Sequence, residues 1–172
     1  MPDPGASSGL VLDTSPWINL LATEMIEPIL DALMVPCHAP EQVVAKTRRH
    51  PITDEILEAA DRPLRRMARV SIVALERDEL GLFLDIVGAP AADALGDGEA
   101  ACIAIAASRG LDLVMDDRKA RRIVRERFAQ VQTWWTVDLL QARSVIAALG
   151  RRTADECYAR ARQFGCMHVP RR

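Results

Sequence analysis

The sequence predicts an α/β fold, a mostly parallel sheet flanked by helices, and three observations carry that expectation. Short apolar or β-branched runs at 10–13, 70–75, 111–115 and 131–135 are separated by longer segments of helical periodicity, the succession that builds βαβ units. The stretch 98–108, GEAACIAIAAS, is apolar around most of its circumference, as a helix buried against a sheet must be. Asp13 and Asp116 stand at the ends of two strand-like runs, where open parallel sheets gather their ligands.

Residues 10–13 read as a short buried strand, after which Ser15-Pro16 offers an N-cap and a first-turn proline for a helix. Trp17, Leu20 and Leu21 give that helix a core-facing stripe at i, i+3 and i+4 spacing. A second helix is expected at 24–33, an extended stretch at 34–37 and a third helix at 40–49. Residues 52–60 look helical until Pro63 interrupts, 70–75 is β-branched and strand-like, and 76–87 is helical until Gly88-Ala89-Pro90 breaks it.

Asp97 is the expected N-cap of the buried helix 98–108, and Gly110 ends it. The strand 111–115, a helix at 117–127 and a last strand at 131–135 follow, then a helix at 137–149 stopped by Gly150. A capping box, Thr153 to Glu156, is expected to open a final helix with Cys157, Ala161 and Phe164 on one face, closed by Gly165. These elements suit one domain over 1–172, with a core at about 9–150 and the helix 153–165 packed on it.

With 172 residues, 49% hydrophobic and 27% charged, the chain can bury a sizeable core. It has no run of about 18 apolar residues, and residues 1–8 lack the basic start and apolar centre of a secretion signal, so a cytoplasmic protein is expected. Cys37, Cys102, Cys157 and Cys166 form no C-x-x-C pair, which supports neither a zinc site nor a disulfide framework.

The net charge of −2 hides segregation along the chain. Residues 73–116 hold two arginines and nine carboxylates, a sum of −7, whereas 117–127 hold six bases and two acids, a sum of +4. Residues 151–172 add another +4, and 20 of the 22 basic residues are arginine, the side chain suited to bidentate phosphate contacts.

Asp13 and Asp116 at strand ends, joined by Glu99 from a helix start, would repel one another unless a positive charge sat among them. Oxygen-only ligands favour a hard cation, Mg²⁺ or Mn²⁺, which retains waters and completes its shell with phosphate oxygens. Asp117 or Asp97 could accept a proton beside such a centre. Arg118, Arg121, Arg122 and Arg125 share one helix face, a phosphate track or simply a solvated surface.

Leu12-Asp13-Thr14-Ser15-Pro16, Asp97-Gly98-Glu99-Ala100-Ala101 and Val114-Met115-Asp116-Asp117-Arg118 resemble, in order and spacing, successive signatures of the PIN-domain family. The resemblance runs from about residue 11 to 149 and is least specific at 50–96. It implies a three-layer fold with a parallel sheet wrapped by helices, an acidic metal site and cleavage of RNA, commonly as the toxin partnered by an antitoxin protein. It also implies pairing with a second copy of the chain. By position it assigns Asp13, Glu99 and Asp116 to Mg²⁺ or Mn²⁺, with Asp116 favoured over Asp117 as ligand. Arg118, Arg121 and Arg122 are the expected RNA contacts.

One position departs from the family pattern. Where relatives usually place a glutamate on the helix expected at 40–49, this chain has Lys46. A lysine there could pair with the remaining acids and take the cation's place, so the alternative is an RNA- or protein-binding module of the same fold.

A strand-end aspartate near an acidic pair also suits an aspartyl-phosphate acceptor, although here the pair Asp116-Asp117 comes late in the chain. No G-x-G-x-x-G supports dinucleotide binding. Trp134 and Trp135 are expected to be structural, and His38, His50 and His168 have no ligand-like spacing.

Overall fold

A computed structural model describes residues 3–165, 167 and 168. Cys166 and the terminal arginines Arg171 and Arg172 lie outside the described residues.

Among the described residues five strands form one sheet: β1 (Leu10–Leu12), β2 (Cys37–Pro40), β3 (Val70–Val73), β4 (Asp112–Val114) and β5 (Thr133–Trp134). Their order is β3-β2-β1-β4-β5, and every neighbouring pair is parallel. A parallel sheet needs helices on both faces, and β1, whose residues are apolar and buried throughout, occupies its centre. The helices are α1 (Thr14–Ala22), α2 (Ile26–Leu33), α3 (Glu41–Lys46), α4 (Arg77–Val87), α5 (Asp97–Arg109), α6 (Arg118–Arg127), α7 (Thr136–Leu140), α8 (Arg143–Leu149) and α9 (Arg151–Phe164).

The chain moves outward from β1 to β2 and β3, then returns through α4 and α5 to place β4 on the other side of β1. The direction of winding therefore reverses between β1 and β4. Brought into register as Leu10↔Asp112 and Leu12↔Val114, these two strands finish side by side and leave a crevice at their carboxyl ends. The alanine-rich α5 crosses this centre and is buried from Ala100 through Ala106, as its all-round apolar sequence requires. Arg109 at its end clamps it to α4, with Nε 2.6 Å from Glu79 Oε1 and Nη2 2.9 Å from Oε2.

Several expected boundaries are corrected. Residues 52–60 are no helix: Arg49 bridges Ile56 in antiparallel fashion, Asp54 takes a left-handed φ of 57°, and only short 3₁₀ turns follow at Ala59–Asp61 and Pro63–Arg65. His50 fixes that hairpin, since its Nδ1 accepts from the amides of Ile52 and Thr53 at 3.3 Å each. The extended stretch placed at 34–37 lies instead at Cys37–Pro40. The helix at 137–149 is two helices, because Ala142 is extended (ψ 142°) and lets α7 pack on α1 and α9 while α8 packs on α2.

Helix starts also shift. Asp13, not Ser15, sits at the N-cap of α1, and Gly96, not Asp97, at that of α5. The last helix begins at Arg151 behind Gly150 (φ 80°), which makes Thr153 a first-turn residue and not a cap. Among the described residues no helix is long and apolar enough to cross a membrane.

Candidate active site

The end of β1 delivers Asp13 and the end of β4 delivers Asp116, 5% and 7% exposed. Pairing continues past β1, with the Asp13 amide donating to the Val114 carbonyl at 3.1 Å, so the two acids face one crevice. The third acid comes from the start of α5, which lies against the end of β1: a Cβ on Gly98 would stand 3.5 Å from both Asp13 Oδ1 and Thr14 Oγ1, ordinary van der Waals contact. Glu99 follows, with Oε2 accepting from the Gly96 amide at 2.7 Å as a helix cap.

Asp116 is held on both oxygens. The Thr136 amide donates to Oδ1 at 2.9 Å, while Thr136 Oγ1 and Asn19 Nδ2 donate to Oδ2 at 2.6 and 2.7 Å. Asn19 and Thr136 are fully buried, and the sequence had pointed to neither. The only signal for Asn19 is a polar residue interrupting the apolar run from Trp17 to Leu21.

Burial pushes the Asp13 carboxyl up to about 6; the Thr14 amide and the Lys46 ammonium oppose the shift, while the charges of Glu99 and Asp116 reinforce it. Asp116 is raised as well, by burial, against its hydrogen bonds from Thr136 and Asn19. Two neighbouring carboxylates thus resist ionisation chiefly because burial strips them of water; for Asp13 the charges of Glu99 and Asp116 add to it, whereas Asp116 is opposed by the nearby Arg121 cation.

Lys46, the last residue of α3, reaches this cluster. Its Nζ lies 3.3 Å from the position a Cβ on Gly98 would take and 3.4 Å from that on Gly96, where Glu99 Oε2 also lies within 3.2 Å. The oxygen-only donors suit a hard divalent cation. Yet the acids are gathered without converging: among the described residues no three His, Cys, Asp or Glu side chains stand close enough to share one ion. Asp116 is turned toward Asn19 and Thr136, and Lys46 supplies a positive charge beside Asp13 and Glu99.

The remaining candidates lie around the rim. Asp117 is exposed and caps α6, its Oδ1 accepting from the Ala120 amide at 2.7 Å. Asp97 is exposed in the first turn of α5. Arg118 is exposed, its Nε donating to His168 Nε2 at 3.0 Å. Arg121 laces two strand ends together, with Nη1 donating to the carbonyls of Trp134 at 2.8 Å and Met115 at 3.3 Å, and it stacks 3.9 Å from the centre of the Trp135 ring. Arg122 pairs with Asp93 at 2.8 Å and Glu126 at 2.9 Å. Buried Trp134 donates to Asp112 Oδ2 at 2.9 Å.

A family model described as a PIN domain matches residues 9–149. No curated protein matches the chain. PIN domains are generally nucleases and typically use divalent metal ions. A match across that span, on a parallel α/β sheet of this kind, makes the chain a member of the PIN-domain family.

Proposed function

We propose that the protein is a metal-dependent endoribonuclease in which Asp13, Glu99 and Asp116, gathered at one crevice, would converge to hold Mg²⁺ or Mn²⁺ as it binds. The observation that carries this is the burial of Asp13 and Asp116 at the β1/β4 switch point beside Glu99; the two buried carboxyls are both raised, which favours a cation beside them. When bound, such an ion lowers the pKa of water and neutralises charge on a phosphodiester. Asn19 and Thr136 orient Asp116 through its three hydrogen bonds. Glu99 commits Oε2 to its helix cap, leaving Oε1 for the site. Asp117 takes up a proton at the rim, and Arg118, with Arg121 and Arg122 behind it, steadies the RNA backbone. Within this reading the protein is a cytoplasmic toxin, paired with a second copy and restrained by an antitoxin protein.

The test is cleavage of a mixed labelled RNA pool with Mn²⁺, Mg²⁺ or EDTA, using the native protein, Asp13→Asn and Glu99→Gln. Metal-dependent cleavage is expected, reduced at least about 100-fold in either variant, the scale on which losing one charge-stabilising group slows catalysis. Intact RNA under every metal, from folded protein, would sink the reading.

Lys46 favours a second reading, an RNA- or protein-binding module without catalysis, because its ammonium already stands beside Asp13 and Glu99. Titration with Mn²⁺ separates the two: the nuclease binds the ion, the module does not.

A further inference from the structure

The acid cluster opens, at Lys46, onto a second feature. A cleft of about 670 Å³ runs between α1 and the segment 46–62, within the range of pockets that hold small ligands. Four cations line it, Lys46, Arg48, Arg49 and Arg62, against one carboxylate, Glu58, in a chain whose net charge is −2. The hairpin at 48–57 builds one wall, closed by the Arg49–Ile56 bridge and by the Leu57 amide donating to the Arg48 carbonyl at 2.8 Å.

Two features of that lining go unexplained by the fold alone. Arg62 donates from Nη1 to the Val44 carbonyl at 3.0 Å, while its Nε is buried with no hydrogen-bond partner among the described residues, a state that native proteins seldom tolerate. Ile56 is 65% exposed on the wall, near Ile18 and Leu57 in the same lining. Among the described residues Arg49 is ion-paired with Asp54 alone, at 3.1 Å with both side chains largely in water, and also donates to the Asp54 carbonyl at 3.1 Å, so the exposed ion pair exchanges easily for another anion.

We propose that this cleft seats the single-stranded RNA next to the scissile phosphate, its backbone on Arg48, Arg49 and Arg62 and a base against Ile18, Ile56 and Leu57. Alternating phosphates and flat bases match a lining that mixes cations with apolar side chains, and Lys46 belongs to both cleft and acid cluster. The substrate follows the ribonuclease reading above, but the cleft is tested without catalysis.

Fluorescence anisotropy of a labelled random-sequence RNA decamer in EDTA provides the test, across a salt titration. Arg48→Glu/Arg49→Glu is compared with native protein and with Arg151→Glu/Arg152→Glu, exposed on α9. The cleft variant is expected to bind at least about 10-fold more weakly, with its salt slope reduced by about 1.4 for two phosphate contacts, while the α9 variant stays within about 2-fold. Arg48→Gln/Arg49→Gln serves if charge reversal disturbs the hairpin, and its binding is expected to fall in the same direction. Equal losses in cleft and α9 variants, no loss, or no RNA binding by native protein overturns the proposal. So does loss of binding to an acidic glutamate-rich peptide with RNA affinity unchanged. If native protein cleaves RNA and the cleft variants bind and cleave as before, the cleft fails and the nuclease stands. If the cleft variants lose binding while native protein cleaves nothing, the cleft stands and the nuclease fails.

Discussion

Burying Asp13 at the end of β1 makes its ionised form unfavourable, and that has a measurable sign. Its folded value of about 6 lies above the ordinary 3.8, so the protonated form contributes stability that is fully present below about pH 3.8. This contribution is lost as pH rises through 6. A shift of that size corresponds to about 3 kcal/mol. In EDTA, Asp13→Asn is therefore expected to exceed the native protein in stability by up to about 3 kcal/mol at pH 7.5. The gap should close toward pH 4, as followed by urea unfolding at each pH. A constant gap, or a less stable variant, would show that the buried charge is compensated. The acids were legible in the sequence because strand ends and a helix start are places where a carboxylate carries positional meaning. Asn19 and Thr136, which hold Asp116, were not, since one polar residue in an apolar stretch forms no pattern until the partner strand is in place.

At the scale of elements, α9 meets α1 through Gly165. A Cβ there would lie 2.3 Å from Asn19 Oδ1 and 2.6 Å from the Ala161 carbonyl, and the second neighbour is backbone that cannot swing aside. Gly165→Ala is expected to destabilise the protein by about 1 to 3 kcal/mol, the scale of overpacking, and to lower Tm in a calorimetric scan. Because Asn19 also donates to Asp116, on the ribonuclease reading the same variant is expected to lose RNA cleavage beyond what its Tm explains. An unchanged Tm would show that the two helices separate freely. Strands and long helices were readable from periodicity, whereas the hairpin after Arg48 was not. Its helical-looking residues are overridden by the His50 side chain, which captures two amides, and by the left-handed Asp54. The break at Ala142 has no glycine or proline to announce it; it is set by where α2 and α9 lie.

On the metal-dependent reading, ion binding and folding of the whole molecule are linked, because an ion that binds only the native state stabilises it by an amount that grows with the logarithm of its affinity. The Lys46 ammonium, beside Asp13 and Glu99, would compete with a divalent cation for the same carboxylates. Lys46→Gln is therefore expected to gain more Tm on addition of Mn²⁺ than the native protein does. An excess of about 1.4 kcal/mol in stabilisation corresponds to tenfold tighter binding. An equal Tm gain in both proteins would remove Lys46 from the site's electrostatics.

The strand order carries a further consequence, in the time the chain takes to be made. β1 is central, yet one of its neighbours is β4, and Asn19 must wait for an aspartate 97 residues later. At roughly 5 to 20 residues per second of synthesis, that wait is about 5 to 20 s, during which one edge of β1 has no strand to pair with. An unpaired apolar edge invites association with other chains, so the half-made protein is most vulnerable before Asp112 emerges. On the ribonuclease reading the same delay has a second effect: until both halves of the crevice exist, a nascent chain would have no assembled acid cluster to turn on the message that encodes it.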